Sequence, residues 1–187
     1  MKNENILKIN HNYIENIWNK LQSSTNIISD KSTHVQSSWG LYLVHCKLLE
    51  NQEYLKIGKA NDLRERIVEG HMSGKNKGYG KTILNTWLAR DNELKKRLNI
   101  DLSKQSERIS FINNYCHFQI LVLDRNDWIN CMKIEADDNL YAQYQDYWGI
   151  NKGRDPIEYI EKPIEKVLKE NNMVRYIRGN KLEECKL

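Results

Sequence analysis

The stretch GLYLVHCKLLENQEYLKIGKANDLRER, residues 40–66, constrains the fold more than any other part of the chain. Leu41 and Leu43 alternate with polar-tipped neighbours and Val44 extends the apolar run, which is the pattern of a strand. A polar break at residues 50–52 separates it from a second short run, Tyr54-Leu55-Lys56-Ile57-Gly58. Two β-rich segments joined by a turn-rich link read as a hairpin. Asn61-Asp62 then supplies an N-cap, and Leu63-Arg64-Glu65-Arg66-Ile67-Val68 opens a helix. Two strands therefore deliver Tyr42, Lys56 and Gly58 to one edge, and a helix with two arginines follows at once.

Around this unit the elements can be read in order. Ile6, Ile9, Tyr13, Ile17 and Leu21 recur every three or four residues, predicting a helix over about 4–22 that packs on the core, with a dimer interface or a DNA-contacting arm as the alternatives. A Ser/Thr/Asn/Asp-rich piece, 23–38, reads as loop. Residues 82–98 read as one helix with a core stripe of Ile83, Leu84, Trp87, Leu88, Leu94 and Leu98, its Lys95-Lys96-Arg97 suiting the negative end of the dipole. Residues 101–114 form a long connection with a short helix. His117–Leu123, HFQILVL, is the clearest buried strand and pairs with the hairpin. A long helix is expected over 128–148, and another from 156 to 172 that Pro163 should divide. Residues 173–178 read as a short strand or an extended tail. The expected class is α+β: a small three-stranded antiparallel sheet flanked by helices, with an N-terminal helix and a C-terminal helical extension. The divisions fall at 1–37, 38–155 and 156–187.

With 187 residues, there is enough chain for one core domain and an appendage. No run of about 18 apolar residues occurs, so no membrane span is expected. The polar beginning, MKNENILKIN, lacks a signal-peptide core, and Cys46, Cys116, Cys131 and Cys185 form no CxxC pair. Free thiols in a reducing cytoplasm are the expectation. The net charge is +4, but residues 56–97 carry 11 Lys/Arg against 5 Asp/Glu, so the charge gathers beside the hairpin. Such a segment suits a polyanion, since cations meeting phosphates release counterions, although an ordinary solvated surface also accounts for it. Within it, residues 71–82 make a Gly- and Lys-rich loop with one Tyr, the composition of a loop that lies along a phosphate backbone. It is not a nucleotide-hydrolase phosphate loop. Gly74 precedes Gly80 by six residues where that motif needs five, and the segment follows a helix rather than a strand.

Gly40-Leu41-Tyr42, Lys56-Ile57-Gly58 and the strand-turn-helix through Arg66 together resemble the catalytic core of the GIY-YIG nuclease superfamily, in a variant with Lys for the leading Tyr of the second motif. The resemblance covers roughly residues 38–150. It implies a three-stranded sheet, Tyr42 as general base, Arg66 on the phosphate, and one glutamate on a later helix, best matched by Glu135, holding a single Mg²⁺ or Mn²⁺. Glu135 would sit at the edge of its helix's apolar face, where a carboxylate is costly unless paired or metal-bound. Lys56, one strand over, would lower the Tyr42 pKa. The family's His falls four residues after the Arg, but that place is Gly70, and His71 comes one later, about 100° away on a regular helix. His71 would still reach the site if the helix ended at Gly70. Tyr54, two residues before Lys56, stands on the same strand face, and Asn151 is a weak match to a late polar role near the metal.

The implied activity is a metal-dependent DNA endonuclease, of restriction type by its size, with Lys59, Arg64, Lys75, Lys77, Tyr79 and Lys81 as DNA contacts. A double-strand cut from one site per chain would imply a homodimer or sequential nicking. Taken singly, each site residue has an ordinary explanation: Tyr42 as a strand tyrosine, Arg66 paired with Asp62 or Glu69, Glu135 in an ion pair, Lys56 guarding a sheet edge. Two other readings stay open, a DNA-binding or regulatory module that does not cleave and an interaction domain that meets no nucleic acid.

Overall fold

The computed structural model describes residues 11–35, 37–49, 54–74, 83–124, 126–127, 158–171 and 173–175. Its centre is an antiparallel sheet of β1 (Ile27–Ile28), β2 (Gly40–Cys46), β3 (Tyr54–Ala60) and β4 (Cys116–Val122), ordered β1-β4-β2-β3. The sheet thus has four strands where three were expected. The additional strand is two residues long, too short for alternation to show in a polar stretch. It is held by Ser24 and Gln119: the Ser24 hydroxyl donates to the Ile120 carbonyl at 2.6 Å, and the Gln119 amide donates to Gln22 and Ser24 carbonyls at 2.8 and 2.7 Å.

Strand alternation sorts the sheet into two faces. Tyr42, Val44, Phe118 and Ile120 share one face with a core that includes Ile67, Met72, Leu84, Leu88, Leu94, Phe111 and Ile112. Leu41, Leu43 and Ile57 share the other with Ile14, Ile17 and Leu21 of α1 (His11–Gln22) and Ile164 and Leu168 of α5 (Glu158–Glu170). The predicted first helix therefore does pack on the core. A bulge between Val44 and His45 leaves Leu55 without a partner, because Val44 pairs with Lys56 and His45 with Tyr54.

The segment expected as one helix over 82–98 is two, α2 (Ile83–Arg90) and α3 (Asn92–Leu98). Asp91 breaks it by capping: its carboxylate accepts from the Leu94 N–H at 2.8 Å. Asn99 ends α3 in the left-handed region, φ 51°. α4 (Gln105–Tyr115) runs directly into β4.

Pro163 does not divide α5, which continues through it. An interior Pro costs roughly 3 kcal/mol. Full burial of Ile164 and Leu168 offsets that, at about 1.5–3 kcal/mol each. After α5 the chain returns to β3. The Tyr54 N–H donates to the Met173 carbonyl at 2.8 Å and the Arg175 N–H to the Tyr54 carbonyl at 2.9 Å. The Arg175 guanidinium then grips Asp91, Nε to Oδ2 at 2.7 Å, and Glu93 at 3.1 Å. None of the described helices is long and apolar enough to cross a membrane.

Candidate active site

Tyr42 stands in the middle of β2, flanked by β3 and β4, and faces the core side of the sheet. Its ring lies over Gly58, its partner on β3. A Cβ at Gly58 would overlap the Tyr42 Cζ and hydroxyl, so the glycine of the second motif is what gives the phenol its place. Gly40 does the same for the backbone, since a Cβ there would collide with the Leu121 carbonyl of β4.

The segment that follows is a π-helix, π1 (Glu65–Met72), entered through Asp62, whose carboxylate accepts from the Glu65 N–H at 2.9 Å. This is the predicted cap. The winding was not predicted. In an i→i+5 ladder, residues five apart lie nearer each other around the axis than in an α-helix. Arg66 and His71 are five apart. His71 Nε2 lies 3.0 Å from the Tyr42 hydroxyl, and the Arg66 charge acts on both rings. The helix does not end at Gly70. It runs on to Met72, where the Asn113 amide donates to the Met72 carbonyl at 2.9 Å.

The pocket is dry. Tyr42 is 3% exposed and His71 1%, with Phe118 stacked on the imidazole at 5.6 Å between centroids. Burial brings the His71 pKa down to about 3, assisted by the nearby Arg66 and Lys56 charges, so the ring is neutral at ordinary pH. Burial raises the Tyr42 pKa well above that of a free phenol. Arg66 opposes this rise and the Glu161 carboxylate adds to it. With the phenol protonated and the ring neutral, the Tyr42 hydroxyl and His71 Nε2 share one hydrogen bond whose donor is set by the imidazole tautomer.

Lys56 corrects the expectation placed on it. It is buried on the Tyr42 face, beside the Tyr42–Gly58 pair, but its ammonium donates to the Ile57 carbonyl at 2.6 Å. Its charge is felt at His71, whereas the cation that lowers the Tyr42 pKa is Arg66. Tyr54 lies off this face. It pairs with His45, and its ring meets His45 and Trp18.

The sequence reading missed Glu161. It is buried on α5 and close enough to Tyr42 to act on its proton affinity. The signal was present: Glu161, Ile164, Glu165 and Leu168 follow an i, i+3, i+4, i+7 spacing, and all four are buried. Of the predicted DNA contacts, Arg64 is exposed just before π1, and Lys59 pairs with Leu41 and so belongs to the face opposite Tyr42. Lys75, Lys77, Tyr79, Lys81, Glu135 and Asn151 lie outside the described residues. Among the described residues no three His, Cys, Asp or Glu side chains gather as a ready-made metal cage. A lone carboxylate suits Mg²⁺, which keeps several waters and takes the rest of its shell from phosphate oxygens.

The site is therefore a buried phenol–imidazole pair under the charge of Arg66, from the same helix as His71, and more weakly that of Glu161 on α5. Comparison with protein-family models, with curated proteins and with solved structures found no match to the chain.

Proposed function

We propose that the protein is a metal-dependent DNA endonuclease of the GIY-YIG kind, a phosphodiester hydrolase of restriction type. The observation that carries this reading is the 3.0 Å contact of Tyr42 with His71 behind a Lys-Ile-Gly strand, with the Arg66 charge acting on both rings. In-line hydrolysis needs a water deprotonated, phosphate charge neutralised and a leaving alkoxide stabilised. Tyr42 does not enter as a ready phenolate. As general base it must lose its proton against the cost of burial, a loss that the nearby Arg66 charge favours. Arg66 offers a planar fork to two phosphate oxygens. Glu135, the ligand that the resemblance implies, or the buried Glu161 would hold Mg²⁺ or Mn²⁺, which when bound supplies Lewis-acid stabilisation of the phosphate and the leaving oxygen.

Supercoiled plasmid incubated with the purified protein in Mg²⁺ and in EDTA tests the proposal. Metal-dependent nicking or linearisation is expected, with near-complete loss in Tyr42→Phe while DNA binding persists. Glu135→Gln or Glu161→Gln should also abolish cleavage, and the one that does identifies the acid.

A second reading, a DNA-binding or regulatory module that does not cut, is favoured by the burial of Tyr42 and His71, which closes the pair off from a substrate. A salt-sensitive gel shift with no cleavage in any divalent metal would establish it over the first.

A further inference from the structure

At the far end of β2 from the hairpin's glycines, Cys46 lies directly opposite Cys116 of β4. The Lys47 N–H donates to the Tyr115 carbonyl at 2.8 Å, which makes 46 and 116 a non-hydrogen-bonded pair. Such pairs are the close ones, with Cα atoms about 4.5 Å apart, inside the roughly 4.4–6.8 Å that a disulfide spans. Both cysteines are reduced, and their thiols are within hydrogen-bonding reach of each other. We propose that Cys46 and Cys116 are a modification site for hydrogen peroxide, a facing dithiol that closes across β2 and β4 into a reversible disulfide. The proposal stands apart from the nuclease reading and does not depend on it.

The two sulfurs are unequal in a way that assigns their roles. Cys46 is 6% exposed and Cys116 1%, so a small oxidant meets Cys46 first. The hydrogen bond from Cys116, with those from the Leu48 and Leu49 N–H groups and the nearby Arg175 charge, lowers the Cys46 pKa, whereas the same contact and burial raise that of Cys116. Cys46 is thus the nucleophilic thiolate and Cys116 the resolving thiol. In the first step the Cys46 thiolate attacks peroxide, the O–O bond breaks, and hydroxide leaves a sulfenic acid on Cys46. In the second the Cys116 sulfur attacks the Cys46 sulfur, the S–O bond breaks, and the departing hydroxide takes the Cys116 proton. Two thiols and one peroxide give one disulfide and two waters.

The full chain is titrated with hydrogen peroxide, quenched, denatured, alkylated with iodoacetamide, digested and weighed. Methionine sulfoxide in the same digests gauges the dose. The expected result is a Cys46–Cys116 linked peptide pair, two hydrogens lighter than the thiols and restored by dithiothreitol, at doses that spare methionine. In Cys116→Ser a sulfenic acid on Cys46 should be trapped by dimedone. The proposal is overturned if both cysteines still alkylate once methionines are oxidised. Recovery of Cys46 as unbridged sulfinic acid, or bridged to Cys131 or Cys185, overturns it as well.

Discussion

Acid should unfold this protein partly through one imidazole, and the size of the effect follows from the structure. His71 has its pKa lowered from 6.5 to about 3 in the folded state. In the unfolded chain it returns to about 6.5. The folded state therefore binds fewer protons than the unfolded state between these values. His71's contribution is fully present above the unfolded pKa and is lost progressively as pH falls from 6.5 toward 3. Between pH 7 and pH 5 the unfolded imidazole protonates almost completely while the folded one stays neutral, which costs about 2 kcal/mol of stability. Other groups titrate over the same interval, including His45 and His117, whose pKa values burial also lowers. They are shared with His71→Gln, so the difference between the two proteins isolates His71. Urea unfolding of both at pH 7 and pH 5 should show the parent losing about 2 kcal/mol more than the variant. The absolute stability of the variant does not enter, only its change with pH. Parallel losses would refute the reasoning, as would an NMR titration in which the native His71 ring protonates near pH 6.

Gly58→Ala places a methyl against the Tyr42 ring, so thermal unfolding should show a loss of about 1–3 kcal/mol, and plasmid cleavage should fall with it. Asp91→Ala removes both the cap of α3 and the carboxylate that grips Arg175. A loss of roughly 3–5 kcal/mol in urea titration is expected, because the guanidinium is left mostly buried without its main partner. Pro163→Ala should stabilise the protein, by at most about 3 kcal/mol, through the helix hydrogen bond that proline cannot make. A lowered midpoint in thermal unfolding would contradict that.

Much of this arrangement was legible in the residues. The hairpin, the Asp62 cap and the strand through Phe118 follow from alternation and from a short polar side chain ahead of a helix. What escaped were features that depend on partners far along the chain. Alternation has nothing to report over two residues, so β1 was invisible, although Ser24 and Gln119 fix it through their hydrogen bonds. Asp91 went unread inside a segment taken as one helix, because its two tasks, capping Leu94 and holding Arg175, involve groups that periodicity does not weigh. The winding of π1 was not foreseen, because the cap at Asp62 announces a helix without fixing its pitch. Glu161 was passed over as part of a mixed-charge helix, though its spacing from Ile164 and Leu168 placed it on the buried side.

The clasp between residues 173–175 and the start of β3 also has a consequence for biosynthesis. A nascent chain emerges from its amino end, so the hairpin can form long before Met173 and Arg175 leave the ribosome. Until they do, the backbone groups of Tyr54 that they will occupy stand open on the sheet's outer border, ready to accept a strand from a neighbouring polypeptide. The border is thus sealed only once Met173 and Arg175 are free to dock, and a stalled or clipped product ending short of Met173 should be the form most prone to clump.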